Sequence, residues 1–300
     1  MNIEAIPATS RADWLALRRR DVTASDVAAL FGAHPYRTIL QVYADKTGTG
    51  TDRGDNAAMR RGRILEPAVA EAWYEERGER LTKATLYLRS PEHRVGATPD
   101  YLTIANEPVE CKTAAPEVFE RDWAEGPPLA YVLQCLVQVY LTGAPRGWIA
   151  LMIDNRAKDF FVFDVPRNDA AWERIIAAAA AFWRAVDAGE MPAVDYSRDA
   201  AAIKALYPRD NGATVDLSGD NMLPEMLAER ARLKDEVAER EDRLEAIDTE
   251  IKAKMGEAAT GTLDGYRITY KLQNRKEVVI PATSYRVLRI TKLKEKDIAA

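Results

Sequence analysis

Residues 96–112 read G-A-T-P-D-Y-L-T-I-A-N-E-P-V-E-C-K, and this stretch decides the predicted fold. Its short apolar runs lie on either side of the turn residues 106–108, a pattern typical of two strands joined as a hairpin. Such a hairpin would bring the carboxylates of Asp100 and Glu110 side by side. Lys112 follows Glu110 by two residues, so both side chains are expected on the same strand face.

Two carboxylates and an ammonium group on a mostly apolar strand are costly to bury unless a hard cation such as Mg²⁺ lies between them. Metal-assisted phosphodiester cleavage requires such an arrangement. The carboxylates would hold the metal, while Lys112 would position the attacking water and offset developing negative charge. The alternative is a surface hairpin whose Glu110 and Lys112 face solvent, since P-D…E-x-K occurs in many unrelated sequences.

The composition is typical of a soluble protein, and any metal site in the chain would use oxygen ligands. With 300 residues, 47% hydrophobic and 30% charged, we expect one large domain or one domain plus an appendage. We expect neither a signal peptide nor a membrane span, since no apolar run is long enough. The two cysteines, Cys111 and Cys135, lack C-x-x-C spacing, and two histidines cannot form a His-rich site. A net charge of −5 means that any contact with DNA needs locally gathered basic residues.

The N-terminal region is predicted to form two helices. Residues 11–20 give an amphipathic helix with a basic end, and a second helix runs from about Asp26 to Phe31, capped by Thr23 or Ser25. One arginine and the Ser25 hydroxyl would hold a phosphate near a helix N-terminus, where free N–H groups favour anions. The alternative for the arginines is a solvated helix face.

Helical spacing continues at residues 39–46 and again from Met59 to Gly78. In the longer segment Glu66 falls beside the apolar positions, so it is either an inward-pointing metal ligand or part of a helix-surface salt bridge. The sequence alone favours the salt bridge. Two strands, at 81–88 and 93–96, then lead into the hairpin.

The remaining elements of this region indicate an α/β fold. Residues 127–142 form a strongly apolar helix in which Gln134 and Gln138 share one face. Apolar strands at 148–153 and 160–165 and a helix at 170–188 complete the predicted elements. Their order is typical of a central mixed sheet flanked by helices.

Four blocks in this order carry a family resemblance: W-L-A-L-R-R-R-D-V-T-A-S, G-R-I-L-E-P, A-T-P-D-Y…V-E-C-K and Y-V-L-Q…L-T-G. They resemble the phage exonucleases of the lambda-exonuclease (YqaJ-like) type, within the PD-(D/E)xK nuclease superfamily. The resemblance covers about residues 10–190. It implies a PD-(D/E)xK nuclease core with a central mixed sheet.

The resemblance also implies the roles of the catalytic residues. The metal-binding carboxylates would be Glu66, Asp100 and Glu110, and the backbone carbonyl of Cys111 would be a further ligand. Lys112 is the lysine of E-x-K. The side chains expected at the reaction centre are Glu66, Asp100, Glu110, Lys112 and Gln134, the last near the attacking water.

A separate set of residues would grip the DNA end. By the resemblance, Arg18 and Ser25 bind the 5′-terminal phosphate, Thr98 provides the hydroxyl of a family serine, and Arg37 is the nearest candidate for a further basic contact. One departure is Tyr101, which stands where the family usually has glycine after P-D. It is expected to change the turn more than the metal site.

The implied function is a Mg²⁺-dependent exodeoxyribonuclease. The family pattern implies two metal ions, and Mn²⁺ would substitute for Mg²⁺. The enzyme would digest linear double-stranded DNA from 5′ ends and leave 3′ single strands for phage-type recombination. The resemblance suggests a homotrimeric ring, a single-strand annealing protein as partner, and the cytoplasm of a bacterial host. The alternatives are an endonuclease with the same core, disfavoured by the Arg18–Ser25 pair, and a non-catalytic DNA-end-binding or assembly protein, disfavoured by the intact site.

The predicted domains are a nuclease domain (1–208), a linker (209–221), a long charged helix (222–257) and a small basic β-rich segment (258–300). The helix has apolar residues at three–four spacing, interrupted by Arg230, Arg240 and Lys254, and it either docks on its own nuclease domain or forms a helical hairpin or an oligomer contact. Strands are expected at 261–272, 278–280 and 285–290. A basic cluster there is a DNA-contact candidate or a solvated surface: Lys271, Arg275, Lys276, Arg286, Arg289, Lys292, Lys294 and Lys296.

Overall fold

The structure is a computed structural model that describes residues 2–7, 9–50, 57–153, 160–277 and 282–291. Its chain divides into two compact units, Met1–Pro208 and Arg209–Ala300. Some predicted features lie wholly or partly outside the described residues: a polar loop expected at 47–56, a turn expected at 154–158, the strand at 278–280, and the last three lysines of the basic cluster.

The helices of the first unit have the following bounds: α1 (Arg11–Arg20), α2 (Ala24–Leu30), α3 (Ile39–Lys46), α4 (Ala57–Arg77), α5 (Pro116–Asp122), α6 (Leu129–Thr142), α7 (Asp169–Ala188) and α8 (Ala200–Leu206). Its strands are β1 (Glu4–Pro7), β2 (Val22–Thr23), β3 (Thr82–Lys83), β4 (Leu86–Ser90), β5 (Val95–Ala97), β6 (Tyr101–Leu102), β7 (Pro108–Ala114), β8 (Arg146–Ile153) and β9 (Phe160–Pro166).

The larger sheet places the predicted hairpin at its centre. Its strand order is β3-β6-β7-β8-β9, with Tyr101 opposite Val109 in the antiparallel β6–β7 pair. Strands β7 and β8 are parallel, and Lys112 lies opposite Leu151. The turn between β6 and β7 is closed by Asn106, whose φ of 61° lies in the left-handed region that asparagine tolerates.

A second, four-stranded sheet has the order β1-β4-β5-β2. Strand β2 pairs in parallel with β5 through Val22 and Val95, and β1 is an antiparallel edge strand on β4. Since β2 runs directly into α2, this pairing holds the start of α2 beside the strand that leads to the hairpin.

Alternation along β7 assigns its side chains to two cores. Val109 and Cys111 face α4 and pack in the smaller core with Val69 and Trp73. The larger core lies on the other side of the sheet and contains buried residues of α2, α6 and α7. Glu110 and Lys112 point to this second side, towards α6, because neighbouring strand residues face opposite ways.

The predicted α/β class, with mixed sheets flanked by helices and a long C-terminal helix, is confirmed by this architecture. Some local predictions were wrong. The strand at 81–88 is two short strands, β3 and β4. Helix α2 is capped by Thr23, one of the two predicted caps, and it begins at Ala24, two residues earlier than predicted, because Thr23 and Asp26 form a capping box. The short elements β1, β2, α5 and α8 were not predicted.

The second unit contains α9 (Leu223–Met255) and a hairpin of β10 (Thr260–Leu263) and β11 (Tyr266–Thr269). The predicted strand at 285–290 is wrong, since residues 282–291 form neither strand nor helix. Alternating apolar and polar residues alone did not make a strand there, where the described residues show no pairing partner.

Among the described helices, none combines the length and apolarity needed to cross a membrane.

Candidate active site

The candidate site is centred on Glu110, whose side chain on β7 is only 4% exposed. Lys112 Nζ donates to Glu110 Oε1 at 2.5 Å, as their spacing on one strand face predicts. The same ammonium lies 4.7 Å from the ring centroid of Tyr131 on α6. A buried carboxylate of this kind requires partners, and the lysine supplies the opposite charge.

Two glutamines of α6 complete the hydrogen bonding of Glu110. Gln134 Nε2 donates to Oε1 at 2.6 Å, and Gln138 Nε2 donates to Oε2 at 2.6 Å. Gln134 Oε1 in turn accepts from Lys112 Nζ at 3.3 Å. The sequence placed both glutamines on one face but assigned no role to Gln138, which is fully buried; their four-residue spacing in an apolar helix was the available signal.

Asp100 lies beside this network, immediately before the short strand β6. Its Oδ2 accepts the backbone N–H of Cys111 at 2.8 Å, which ties it to β7. Burial raises the pKa of Asp100 to about 8, and the charge of Glu110 adds to this effect while Lys112 opposes it. The hairpin therefore brings the two carboxylates into electrostatic range of each other, as predicted.

Lys112 remains a strong cation in this environment. Burial alone would lower its pKa, but the charges of Glu110 and Asp100 and the hydrogen bond to Glu110 together raise it above the ordinary value. Lys112 is therefore an ammonium at neutral pH. It can donate hydrogen bonds and stabilise negative charge, and it is not a general base.

Glu66 projects from α4 and forms the salt bridge that the sequence favoured. Lys83 Nζ on β3 lies 2.5 Å from Glu66 Oε2 and 4.5 Å from the ring centroid of Tyr101. Burial works to lower the pKa of Lys83, yet the hydrogen bond to Glu66 and the charges of Glu66 and Asp100 raise it. Lys83 was not among the predicted site residues, because its partner is distant in the sequence.

The donor set suits a hard cation, although the side chains do not converge on one point. Among the described residues, no group of three His, Cys, Asp or Glu side chains is close enough to hold a metal ion. Glu66 is turned to Lys83, and Glu110 to the glutamines. However, the charges of Glu110 and Glu66 both raise the pKa of Asp100, so the three carboxylate groups share one region of negative charge. Oxygen ligands in such a region suit Mg²⁺ or Mn²⁺.

Cys111 takes part through its backbone, since its N–H is bonded to Asp100. Its side chain is buried against α4. Burial, followed by the charge of Asp100, raises the pKa of the thiol well above its ordinary value. The thiol is therefore uncharged at neutral pH and a poor metal ligand, which leaves the backbone carbonyl as the predicted ligand.

The predicted end-binding pair is in contact. Arg18 Nη2 donates to Ser25 Oγ at 3.0 Å, and the Thr23 hydroxyl lies 3.0 Å from the same oxygen. The guanidinium of Arg18 stacks on Trp14, 4.4 Å from the ring centroid. Trp14 Nε1 donates to Thr98 Oγ1 at 3.4 Å, so Thr98 connects this cluster to the segment between β5 and β6 that contains Asp100.

Arg37 is held differently from the other predicted end-binding residues. Its guanidinium forms ion pairs with the fully buried Asp26, at 2.7 Å, and with Asp45. Lys46 Nζ lies 2.7 Å from the other oxygen of Asp26 and donates to the backbone carbonyl of Arg18 at 2.8 Å. The structure therefore does not bring Arg37 to the Ser25 hydroxyl, and the guanidinium pairs with carboxylates instead.

A cavity of about 450 Å³ lies away from these residues. It is lined by Glu76 and Arg77 of α4 and by Phe160 and Val162 of β9. None of the predicted site residues lines it. The buried Glu110 network is therefore separate from this cavity.

Residues 13–145 match the family model of the YqaJ-like viral recombinase domain, and this match confirms the predicted resemblance. The chain is similar to the uncharacterized protein YqaJ of Bacillus subtilis (strain 168), with 25% identity over 270 residues that cover 87% of this chain and 83% of that protein.

Solved structures similar to this chain include an alkaline exonuclease, LHK-Exo, from Laribacter hongkongensis, at 25% identity and a TM-score of 0.49, covering 59% of this chain and 93% of that one. A phage related exonuclease from Haemophilus somnus 129PT is similar at 12% identity and a TM-score of 0.43, covering 59% and 99% of the two chains.

Proposed function

We propose that this protein is a metal-dependent exodeoxyribonuclease that digests linear double-stranded DNA from 5′ ends and leaves 3′ single strands for phage-type recombination. The observation that carries the proposal is the buried Glu110–Lys112 pair, with Asp100 beside it, inside a segment that matches a viral recombinase domain. A buried acid–base cluster with perturbed pKa values is typical of a functional site.

The protein side chains would divide the work of hydrolysis. Lys112, held as an ammonium by Glu110 and Gln134, would orient the attacking water and stabilise negative charge on the phosphate. Gln134 and Gln138 fix the Glu110 carboxylate in one orientation. Divalent cations, proposed as two Mg²⁺ or Mn²⁺ ions held by Glu66, Asp100, Glu110 and the Cys111 carbonyl, would supply Lewis-acid activation of the phosphate and the water.

End recognition is proposed for the Arg18 cluster. Arg18 already bonds the Ser25 hydroxyl and stacks on Trp14, so its guanidinium is ordered before any ligand binds. An ordered guanidinium and a hydroxyl are a favourable pair for a phosphate group. Thr98, bonded to Trp14, lies two residues before Asp100, which supports a short path from the gripped end to the cleavage site.

The proposed setting follows from the substrate. We expect a single-strand annealing protein to receive the 3′ strand, three copies of the chain to form a ring around the duplex, and the reaction to take place in the cytoplasm of the bacterial host of a phage or prophage. These assignments rest on the resemblance to the YqaJ-like exonucleases.

The proposal is tested by comparing a linear duplex with the same DNA as a covalently closed circle, with Mg²⁺ and with a chelator. We expect digestion of the linear form only, and only with the metal. Cleavage of the closed circle would favour the endonuclease, and binding to linear ends without any cleavage would favour the non-catalytic end-binding protein.

A further inference from the structure

Helix α9 carries one apolar stripe along its whole length. The helix has 33 residues, none of them buried, and at ~1.5 Å per residue it is ~50 Å long. In heptad notation, with positions labelled a to g, most of its large apolar residues occupy a and d: Leu223, Met226, Leu233, Val237, Leu244, Ile247 and Ile251. Leu227 and Met255 lie beside this stripe, at e positions.

This stripe is open to solvent in the second unit. Val237 and Leu244, at the middle of the helix, are 53% and 59% exposed. The hairpin approaches α9 near its C-terminal end, where a Cβ on Gly261 would lie 2.7 Å from Met255 Sδ. An a and d stripe with period 3.5 is narrower than the apolar face of an ordinary core-facing helix, and it fits the seam of a coiled coil.

Three cations interrupt the stripe: Arg230 at an a position, and Arg240 and Lys254 at d positions. Each has an acid at a neighbouring e or g position, where a partner helix would also present it. These acids are Glu229, Glu241 and Glu250, and Lys254 Nζ lies 2.5 Å from Glu250 Oε1 within the same helix. Long basic side chains at a seam reach outwards to such acids while their stems stay in the apolar layer.

The charges on either side of the stripe complement a second copy of the same helix. In a parallel, in-register pair, each g position faces the e position five residues later on the other helix. This places Glu229 against Lys234 and Arg243 against Asp248.

Of the two remaining pairs, one joins Glu250 to the uncharged Met255, and the other consists of two acids, Glu236 and Glu241. It falls in the layer of Arg240, whose guanidinium from each helix would lie between them. Arg240, which interrupts the apolar stripe of a single helix, would therefore offset the like charges of Glu236 and Glu241 in the coiled coil.

We propose that α9 is an assembly helix, which joins another copy of this chain as a parallel, in-register coiled coil. The occupant of the stripe is thus a second α9. The assignment rests on the second unit alone and is independent of the proposed nuclease activity, so either proposal can fail without the other.

Cysteine cross-linking of the full chain tests the register. The native cysteines, Cys111 and Cys135, are buried, and a Leu244→Cys variant would place thiols at a positions that face each other across a parallel seam. We expect mild oxidation to convert it to a covalent dimer on non-reducing gels. A Glu245→Cys variant, one residue away on the outer surface, is the matched control and should remain largely uncrosslinked.

A second change separates specific pairing from random collision. Adding Val237→Glu to the Leu244→Cys chain puts two carboxylates in one layer, and we expect cross-linking to fall at least tenfold. Adding Ala238→Glu, on the outer surface, should leave it unchanged, with helix content checked by circular dichroism. Equal cross-linking at 244 and 245, or no effect of Val237→Glu beyond that of Ala238→Glu, would overturn the proposal.

Discussion

Glu110 and Lys112 form an ion pair in the candidate site, with Nζ and Oε1 2.5 Å apart, and removal of either takes away the opposite charge beside the other. We expect Glu110→Ala and Lys112→Ala each to lower DNA cleavage by about a hundredfold or more, since each removes an electrostatic contribution to the transition state. Turnover on a linear duplex measures the effect. Glu117→Ala, an exposed acid on α5, is the control, and near wild-type turnover of either site variant would show that the site is assigned wrongly.

Lys83 is the ion-pair partner of Glu66. Its ammonium neutralises Glu66, so a divalent cation that recruits Glu66 must compete with it. We expect Lys83→Met to bind Mn²⁺ about two- to fivefold more tightly, because a half-exposed ion pair is worth at most about 1 kcal/mol. Calorimetric titration gives the affinity without DNA. Arg80→Met, which removes the Arg80–Glu71 pair, is the control; unchanged or weaker binding by Lys83→Met would contradict this role.

The residue scale also shows what sequence can and cannot predict. The Glu110–Lys112 contact follows from a two-residue spacing on one strand, and the Asp100–Glu110 proximity follows from a hairpin. The Arg18–Ser25 contact was expected from the family resemblance. Lys83 and Gln138 were missed because their roles depend on which helix or strand lies opposite, and this is decided by tertiary packing.

At the scale of elements, one buried carboxylate joins three helices. Asp26 in α2 is surrounded by Lys46 of α3 and by Arg37, and Lys46 also holds the last turn of α1 through the Arg18 carbonyl. Burial works to raise the pKa of Asp26, but the charges of Lys46 and Arg37 hold it well below the ordinary value. Asp26 therefore stabilises the fold as an anion.

The sign of the pH dependence follows from that lowered pKa. The contribution of Asp26 is present above its ordinary pKa of 3.8 and is lost as the pH falls below that value. Asp26→Asn should cost roughly 3–5 kcal/mol at pH 7, because it leaves the buried Lys46 ammonium without its carboxylate partner, and the difference from wild type should shrink in acid.

Denaturant unfolding at pH 7 and at a pH below 3.8, followed by tryptophan fluorescence, measures the difference in unfolding free energy between wild type and Asp26→Asn. The signal reports on the first unit, which contains all 6 tryptophans. Asp164→Asn, whose partner Arg146 is surface-exposed, serves as the control and should change stability by less than about 0.5 kcal/mol. A cost for Asp26→Asn that is small, or equal at both pH values, would mean that the ion pairs do not stabilise this region.

Long elements were predicted with nearly correct bounds, and short ones were not. Helices α3, α6 and α7 have enough periodic residues, and α6 and α7 end at Gly143 and Gly189 in left-handed conformations. Strand β2 has two residues and exists because it pairs with β5, so its local sequence holds little signal. The wrongly predicted strand at 285–290 shows the opposite: its residues alternate as in a strand, but the described residues include no strand that pairs with them.

At the scale of the whole molecule, the chain divides at Pro208. We expect a chain ending at Pro208 to be soluble, to unfold cooperatively, and to retain cleavage of linear DNA, because every candidate site residue precedes that point. Its circular dichroism and thermal unfolding would be compared with those of the full chain. An insoluble or unfolded fragment would mean that the second unit is needed for the core, and the predicted domain boundary would be wrong.

The preference for a 5′-phosphate end tests the central claim most directly, because it depends on the end-binding residues and the cleavage site together. Matched linear duplexes that differ only in a 5′-phosphate or a 5′-hydroxyl would be digested by wild type and by Arg18→Ala. A terminal phosphate carries more charge than an internal diester, and Arg18 with Ser25 would favour it.

We predict that wild type digests the 5′-phosphate duplex several-fold faster, and that Arg18→Ala loses most of this preference while Mn²⁺ affinity is retained. Equal rates of wild type on both duplexes would contradict an end-gripping 5′ exonuclease.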